Sequence, residues 1–165
     1  MINIINRPEY LNELIRWKDQ ILIKVITGIR RCGKSTLFEL YIEYLKKSGI
    51  KSKQIIHINL EDADYDFKDY KELYNFINQK INDNEKFYVF IDEVQNVVNF
   101  QKAVDSLYIK KNVDLYITGS NAYLLSGELA TLLSGRYIEI KMLPLSFKEY
   151  ITAFDSDNYY KLFLD

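Results

Sequence analysis

Two stretches of this chain carry residue types at spacings that do chemistry. The first is Gly28-Ile29-Arg30-Arg31-Cys32-Gly33-Lys34-Ser35, a full match to the pattern G-x-x-x-x-G-K followed by Ser or Thr. Two glycines let the backbone curl until successive N–H groups point at phosphate oxygens. The amides from Gly28 to Thr36 then line an anion, with Ile29, Arg30, Arg31, Cys32 and Gly33 between them. A helix beginning near Gly33 adds its positive end. Lys34 is placed to reach β- and γ-phosphates, and the Ser35 hydroxyl to ligate Mg²⁺. The apolar run Ile21–Thr27 ahead of the loop and the helical spacing behind it give the strand–loop–helix context this chemistry needs. The pattern predicts a nucleoside triphosphate site.

The second stretch is Phe87–Glu93, FYVFIDE, an apolar strand that ends in two carboxylates. Asp92 is the candidate to hold Mg²⁺, directly or through water, and Glu93 the candidate to orient and deprotonate an attacking water. Lys34 and Asp92 lie 58 residues apart, room for the loop's own helix plus one complete strand and helix. The end of a later strand, Thr118-Gly119-Ser120-Asn121, is expected to project between Lys34 and Glu93. Ser120 and Asn121 are candidates to sense the γ-phosphate or the water, though Ser120 equally suits a helix cap. Arg136, after Leu-Ser-Gly, is a candidate arginine finger, acting on its own site or a neighbour's, or else the partner of a nearby carboxylate. Arg30 and Arg31 are candidates for phosphate or partner contacts.

Composition narrows the classes. With 22 basic and 23 acidic residues among 165, the chain has no uniform positive surface, so nucleic acid as a partner is not indicated by charge. The single Cys32 excludes an intramolecular disulfide and fits a reducing compartment. The start MINIINRPEY lacks the charged and apolar regions of a signal peptide, and no apolar run is long enough to span a bilayer. The expectation is a cytoplasmic protein with no membrane partner.

The elements that must position these residues alternate. An amphipathic helix is expected over 7–19, capped by Asn6 with Pro8 in its first turn, and by position it is a candidate to flank a base. Strands follow at 21–27, 54–60, 87–91, 113–118 and 137–142. Helices lie at 34–47, 69–82, 99–110 and 121–134, with a last one from Ser146 to Phe154. His57, the only histidine, reads as a structural residue. The acidic cluster Glu61, Asp62, Asp64 and Asp66 lacks the glycine and final glutamate of a calcium loop and reads as a solvated turn. Strand–helix alternation predicts an α/β fold with a parallel sheet covered on both faces. By analogy with P-loop ATPases that carry an additional strand and a catalytic glutamate, the expected architecture is a P-loop NTPase three-layer sandwich with sheet order 5-1-4-3-2. The core is expected over residues 1–154, with residues 1–20 packed on it, and 155–165 are expected to begin a truncated C-terminal region.

The segments RPEYLNELIRWKD, ITGIRRCGKSTL, NLED, FIDEVQ, ITGSNAYLLSGELATLLSGRYIEI and LPLSFKEY span nearly the whole chain. In these it resembles a prokaryotic family of AAA-type ATPases that join an N-terminal ATPase core to a C-terminal domain of unknown function. The resemblance implies the 5-1-4-3-2 sheet, ATP with Mg²⁺, and roles for Lys34, Ser35, Asp92, Glu93 and Arg136. It also implies a longer protein; the helical lid of typical AAA proteins is not visible. The leading expectation is an ATP-hydrolysing domain that couples nucleotide state to an attached domain or partner, as a homo-oligomer or with another protein engaged through Arg136. The alternatives are a nucleotide-gated switch with little turnover and one lobe of a DNA-acting motor. A small-molecule kinase lacks an evident acceptor site, and no N-K-x-D motif supports guanine.

Overall fold

The structure, a computed structural model, describes residues 5–82, 84–120, 133 and 135–149. Its helices are α1 (Pro8–Arg16), α2 (Lys34–Lys47), α3 (Tyr70–Asn78) and α4 (Phe100–Tyr108). Its strands are β1 (Ile23–Thr27), β2 (Ile55–Asn59), β3 (Phe87–Asp92), β4 (Val113–Gly119) and β5 (Tyr137–Lys141). The five strands pair in parallel in the order β2-β3-β4-β1-β5, the expected order read from the other edge.

Alternation along the central strands divides the core in two. Val25, Val89, Ile91, Leu115 and Ile117 face Leu73 and Ile77 of α3 and Ala103, Val104 and Leu107 of α4. Ile26, Tyr88, Phe90 and Tyr116 face Leu14 of α1 and Leu37, Phe38, Tyr41 and Leu45 of α2. Both faces are buried because strands joined by helical crossovers receive a helix layer on each side. The α2 side is filled by rings: Phe90 and Tyr116 stack at 4.7 Å, and Phe38 meets Phe90 edge-on at 5.1 Å. Such pairs add about 0.5–1.5 kcal/mol each beyond the area they bury.

One ion pair sits inside this apolar layer. Lys24, fully buried on β1, donates to Asp114 Oδ1 at 2.5 Å and to the Gln20 carbonyl at 2.8 Å. Asp114 also accepts from the Asp19 amide and the Tyr116 hydroxyl, each at 2.8 Å, and Tyr116 in turn meets Tyr41. The network fastens the α1–β1 turn, where Asp19 takes a left-handed φ of 62°, to the middle of the sheet. Burial pushes the Lys24 ammonium below its usual range, against the pull of Asp114.

Most expected boundaries lie within two residues of those observed, and α3 ends four residues early. The N-terminal cap is a correction: α1 begins at Pro8, the cap position is Arg7, and no side chain caps it. Asp69, by contrast, caps α3 by accepting from the Lys71 and Glu72 amides. The acidic loop contains a single 3₁₀ turn, Ala63–Tyr65, capped by Asp62. His57 packs edge-on against Phe38 and Phe90, and its buried Nε2 has no hydrogen-bond partner. Burial pushes its pKa below the ordinary histidine value, outweighing the Asp92 and Glu39 carboxylates, so the ring is neutral at pH 7. The helix expected over 121–134 and most of the last one lie outside the described residues. No described helix is long and apolar enough to cross a membrane.

Candidate functional site

Strands β1, β3 and β4 are adjacent, and their carboxyl ends bring the two chemical stretches together. The phosphate-loop pattern leaves β1 at Gly28, where a Cβ would stand 2.5 Å from the Met142 carbonyl oxygen and 2.6 Å from Cys32 Sγ. No side chain fits there. Gly33 takes a φ of 98° as it hands the loop to α2, a conformation in which glycine is unstrained. Arg31 also adopts a left-handed φ, 64°. The curled loop leads directly into α2, whose first amides, those of Ser35 and Thr36 among them, have no acceptor within the helix.

Lys34 is almost wholly buried. Its Nζ lies 3.2 Å from Glu93 Oε1 and donates weakly to the Gly28 and Ile29 carbonyls at 3.4 and 3.3 Å. The other Glu93 oxygen accepts from Gln95 Nε2 at 2.6 Å. Glu93 itself has a left-handed φ of 55°, which turns its side chain away from the strand direction. Asp92 is 1% exposed: its Oδ1 accepts from the Thr118 hydroxyl, while its Oδ2 is buried with no partner. The same hydroxyl accepts from the Glu93 amide at 2.9 Å. One threonine on β4 therefore ties Asp92, the last residue of β3, and the Glu93 amide after it in place.

Lys34, Glu93, Gln95 and Ser120 line an open cleft of about 420 Å³, with Arg30 and Glu61 paired across its rim at 3.1 Å. A second hollow, about 200 Å³ and mostly apolar, opens on the other side of the loop among Thr36, Leu40, Met142 and Leu145. Arg31, Cys32 and Gly33 form its loop side, and Ile5 and Arg7 its N-terminal side. The N-terminal segment does border a pocket beside the loop, but through residues ahead of α1 and not through the helix.

Of the two residues singled out after β4, Ser120 reaches the cleft and Asn121 lies outside the described residues. Thr118, named with the strand end but not among its candidates, makes the contacts to Asp92 and Glu93. Its signal was topological: with β4 between β1 and β3, the last side chains of β4 must lie against the acidic pair. Of the three readings left open for Arg136, the structure has it beside a nearby carboxylate. It precedes β5, whose first residue pairs with Ile23, so it stands at the amino edge of the sheet, opposite the loop. There its carbonyl accepts from Ile23, and its guanidinium pairs with Asp105 at 2.6 Å and lies 5.8 Å from the Tyr108 ring centre.

Asp92 Oδ2 is the observation that bears on a metal. A buried carboxylate oxygen without a donor is costly unless a cation or water completes it. Among the described residues no three His, Cys, Asp or Glu side chains gather as a metal cage. Mg²⁺ needs none, since it takes one or two protein ligands and completes its shell with water and phosphate. Asp92 and Ser35 fit that habit.

A parallel sheet of order 2-3-4-1-5, with a glycine-rich anion loop after β1 and an acidic pair ending β3, defines a P-loop nucleotide-binding domain of the AAA type. The chain belongs to the AAA domain family, whose model matches residues 20–151. It is 49% identical over 161 residues to an uncharacterized protein of Haemophilus influenzae, covering 96% of this chain and 40% of that protein. An uncharacterized protein of Methanocaldococcus jannaschii is 36% identical over 130 residues, 78% of this chain and 28% of that one. The chain thus spans less than half the length of these relatives. Among solved structures, a DNA polymerase III gamma subunit-related protein of Thermotoga maritima superposes with a TM-score of 0.65 at 14% identity, covering 94% of this chain and 53% of that one. Hsp104, in its closed state with ATPγS and casein, gives 0.62 at 17% identity over 92% of this chain and 29% of its own. A chain of Drosophila ORC bound to DNA gives 0.58 at 11% identity, covering 90% and 98%. At these identities the likeness is one of fold.

Proposed function

We propose that this domain binds ATP with Mg²⁺, hydrolyses it, and passes the nucleotide state to an attached region or partner. The carrying observation is the cluster of Lys34, Glu93, Asp92 and Thr118 at the carboxyl ends of three adjacent strands. Ligands of open α/β sheets sit at this end.

The triphosphate lies in the curled loop, held by the amides from Gly28 to Thr36. The adenine fills the apolar hollow of Thr36, Leu40, Met142 and Leu145. Lys34 exchanges Glu93 for the β- and γ-phosphate oxygens, which frees one carboxylate oxygen of Glu93 to orient a water and take its proton. Asp92 and Ser35 would hold Mg²⁺, which would supply neutralisation of phosphate charge. Ser120 reaches the γ-phosphate side of the cleft. Arg136, half exposed at the opposite edge, acts as a finger only across a contact with another subunit.

A second reading, a switch that binds nucleotide and turns over slowly, is favoured by the double engagement of Glu93 with Lys34 and Gln95. Steady-state turnover beside Glu93→Gln, over a range of protein concentrations, separates the two. Hydrolysis predicts that Glu93→Gln keeps ATP binding and loses about 10²-fold or more in rate. Binding without turnover at any concentration would leave the switch. No binding would overturn both.

A further inference from the structure

We propose that Arg7 is a positioning residue that links the wall of the base pocket to the phosphate loop and to the segment 143–149. The proposal rests on the nucleotide reading above and deepens it by naming the route through which occupancy is passed on.

Arg7 is only 6% exposed although it sits near the start of the chain. A guanidinium has five N–H donors, and here each finds an acceptor. Nε donates to Glu149 Oε1 at 2.8 Å. Nη1 donates to the Cys32 carbonyl at 3.2 Å and the Leu143 carbonyl at 2.7 Å. Nη2 donates to the Pro144 carbonyl and to Glu149 Oε2, each at 3.4 Å. The group also lies over the Tyr10 ring, 4.5 Å from its centre, and the Tyr10 hydroxyl accepts from the Leu143 amide at 3.2 Å. Both backbone groups of Leu143 are therefore spent on Arg7 and Tyr10.

Glu149 is itself prepared for this contact. The Ser146 amide and hydroxyl donate to its Oε2 at 2.7 and 2.8 Å, and the Glu149 amide donates back to the Ser146 hydroxyl. The Ser146 amide, then the Ser146 hydroxyl and Arg7, hold its carboxyl below the usual glutamate range against the opposing effect of burial. The carboxylate is thus charged where Arg7 meets it.

These contacts join three parts of the chain that the sequence separates widely. The Cys32 carbonyl belongs to the phosphate loop, and Met142 and Leu145 wall the pocket beside it. Leu143, Pro144 and Glu149 belong to the segment leading away from β5. A guanidinium with all donors committed has none left for a phosphate, so Arg7 is not a ligand; it fixes the distance between the loop and the wall. A base entering the hollow bears on Met142 and Leu145, and their neighbours are held to the loop through one rigid fork. Lysine, with a single flexible ammonium, cannot make that fork.

The test compares ADP with inorganic tripolyphosphate, which offers phosphates but no base. Calorimetry gives both affinities, and amide hydrogen exchange reads residues 143–149, on the unaltered chain, Arg7→Lys and Glu149→Gln. The unaltered chain is expected to bind both ligands and to gain protection over 143–149 with ADP alone. Arg7→Lys is expected to lose about tenfold in ADP affinity, to change less than threefold for tripolyphosphate, and to lose the protection. Glu149→Gln, which leaves the carbonyl contacts in place and keeps the fold testable, should fall between. A residue that merely stabilises the fold would lower the melting temperature and leave the ratio of the two affinities unmoved; that result overturns the proposal. Equal losses for both ligands would also overturn it and assign Arg7 to the loop alone. Failure of the unaltered chain to bind either ligand would sink the nucleotide reading, and this one with it.

Discussion

Replacing Thr118 by valine tests whether a single hydroxyl organises the acidic pair. Valine keeps the shape of the side chain and removes its oxygen. In the fully buried native position that oxygen donates to the Asp92 carboxylate and accepts from the Glu93 amide. A hydrogen bond to a charged group contributes about 1.5–3 kcal/mol, and a buried amide left without an acceptor costs about 1–3 kcal/mol. Since Asp92 Oδ2 already lacks a donor, the carboxylate would then have neither oxygen satisfied by these contacts. We expect Thr118→Val to lose about 3 kcal/mol, which at a slope near 2 kcal/mol per molar moves the urea midpoint down by roughly 1.5 M. Turnover should fall at least about tenfold, equivalent to about 1.4 kcal/mol of transition-state stabilisation, and require more Mg²⁺ for half-maximal rate. Thr118→Ser, which restores the hydroxyl, should recover most of both. A valine variant with an unchanged midpoint and an unchanged Mg²⁺ requirement would refute the role assigned to Thr118.

Two further predictions concern the groups buried on the α2 face. Lys24→Met leaves the Asp114 carboxylate buried without its cation and should cost about 3–5 kcal/mol in denaturant unfolding, whereas Lys24→Met with Asp114→Leu should cost clearly less than Lys24→Met alone. His57 has a folded pKa below its unfolded value near 6.5. As pH falls through that value the unfolded chain takes up the proton first, so stability is full above it and declines below it. His57→Leu should therefore show a shallower fall in melting temperature between pH 7 and pH 5 than the unaltered chain. The Glu149 carboxyl, whose pKa is also lowered, loses its contribution only below about pH 4.5, outside that interval.

What the sequence made legible was whatever depends on local pattern. The five strands are apolar runs closed by polar residues, and α2 to α4 follow from apolar spacing. The phosphate-loop glycines and the Asp92-Glu93 pair announce themselves by type and interval. What it hid depends on which distant residues meet. Nothing local to the apolar run 21–27 tells what Lys24 does within it, because its partner, Asp114, is ninety positions away. The expected strand order put the end of β4 beside β3, but which of its polar side chains meets the acidic pair, Thr118 rather than Ser120 or Asn121, depends on side-chain geometry. Arg136 was left open among its own site, a neighbour's and a nearby carboxylate, because only the pairing of the parallel strand that begins there carries it to the far edge of the sheet, beside Asp105. Arg7 drew no role of its own because each of its acceptors lies in another part of the chain, from Cys32 to Glu149.

The strand order also has a kinetic consequence. β2, β3 and β4 are neighbours both in sequence and in the sheet, whereas β1 pairs only with β4 and β5. Lys24 waits for Tyr116, and Ile23 for Tyr137. Closing intervals of that length is slow compared with forming a helix or joining adjacent strands. A β2-β3-β4 ribbon can thus gather before β1 has a slot. The hollow beside the phosphate loop needs Met142, which follows the last strand, as one of its walls. Pulse-labelled hydrogen exchange during refolding is therefore expected to find the phosphate loop and the hollow beside it, encoded near the beginning of the chain, protected later than β2, β3 and β4.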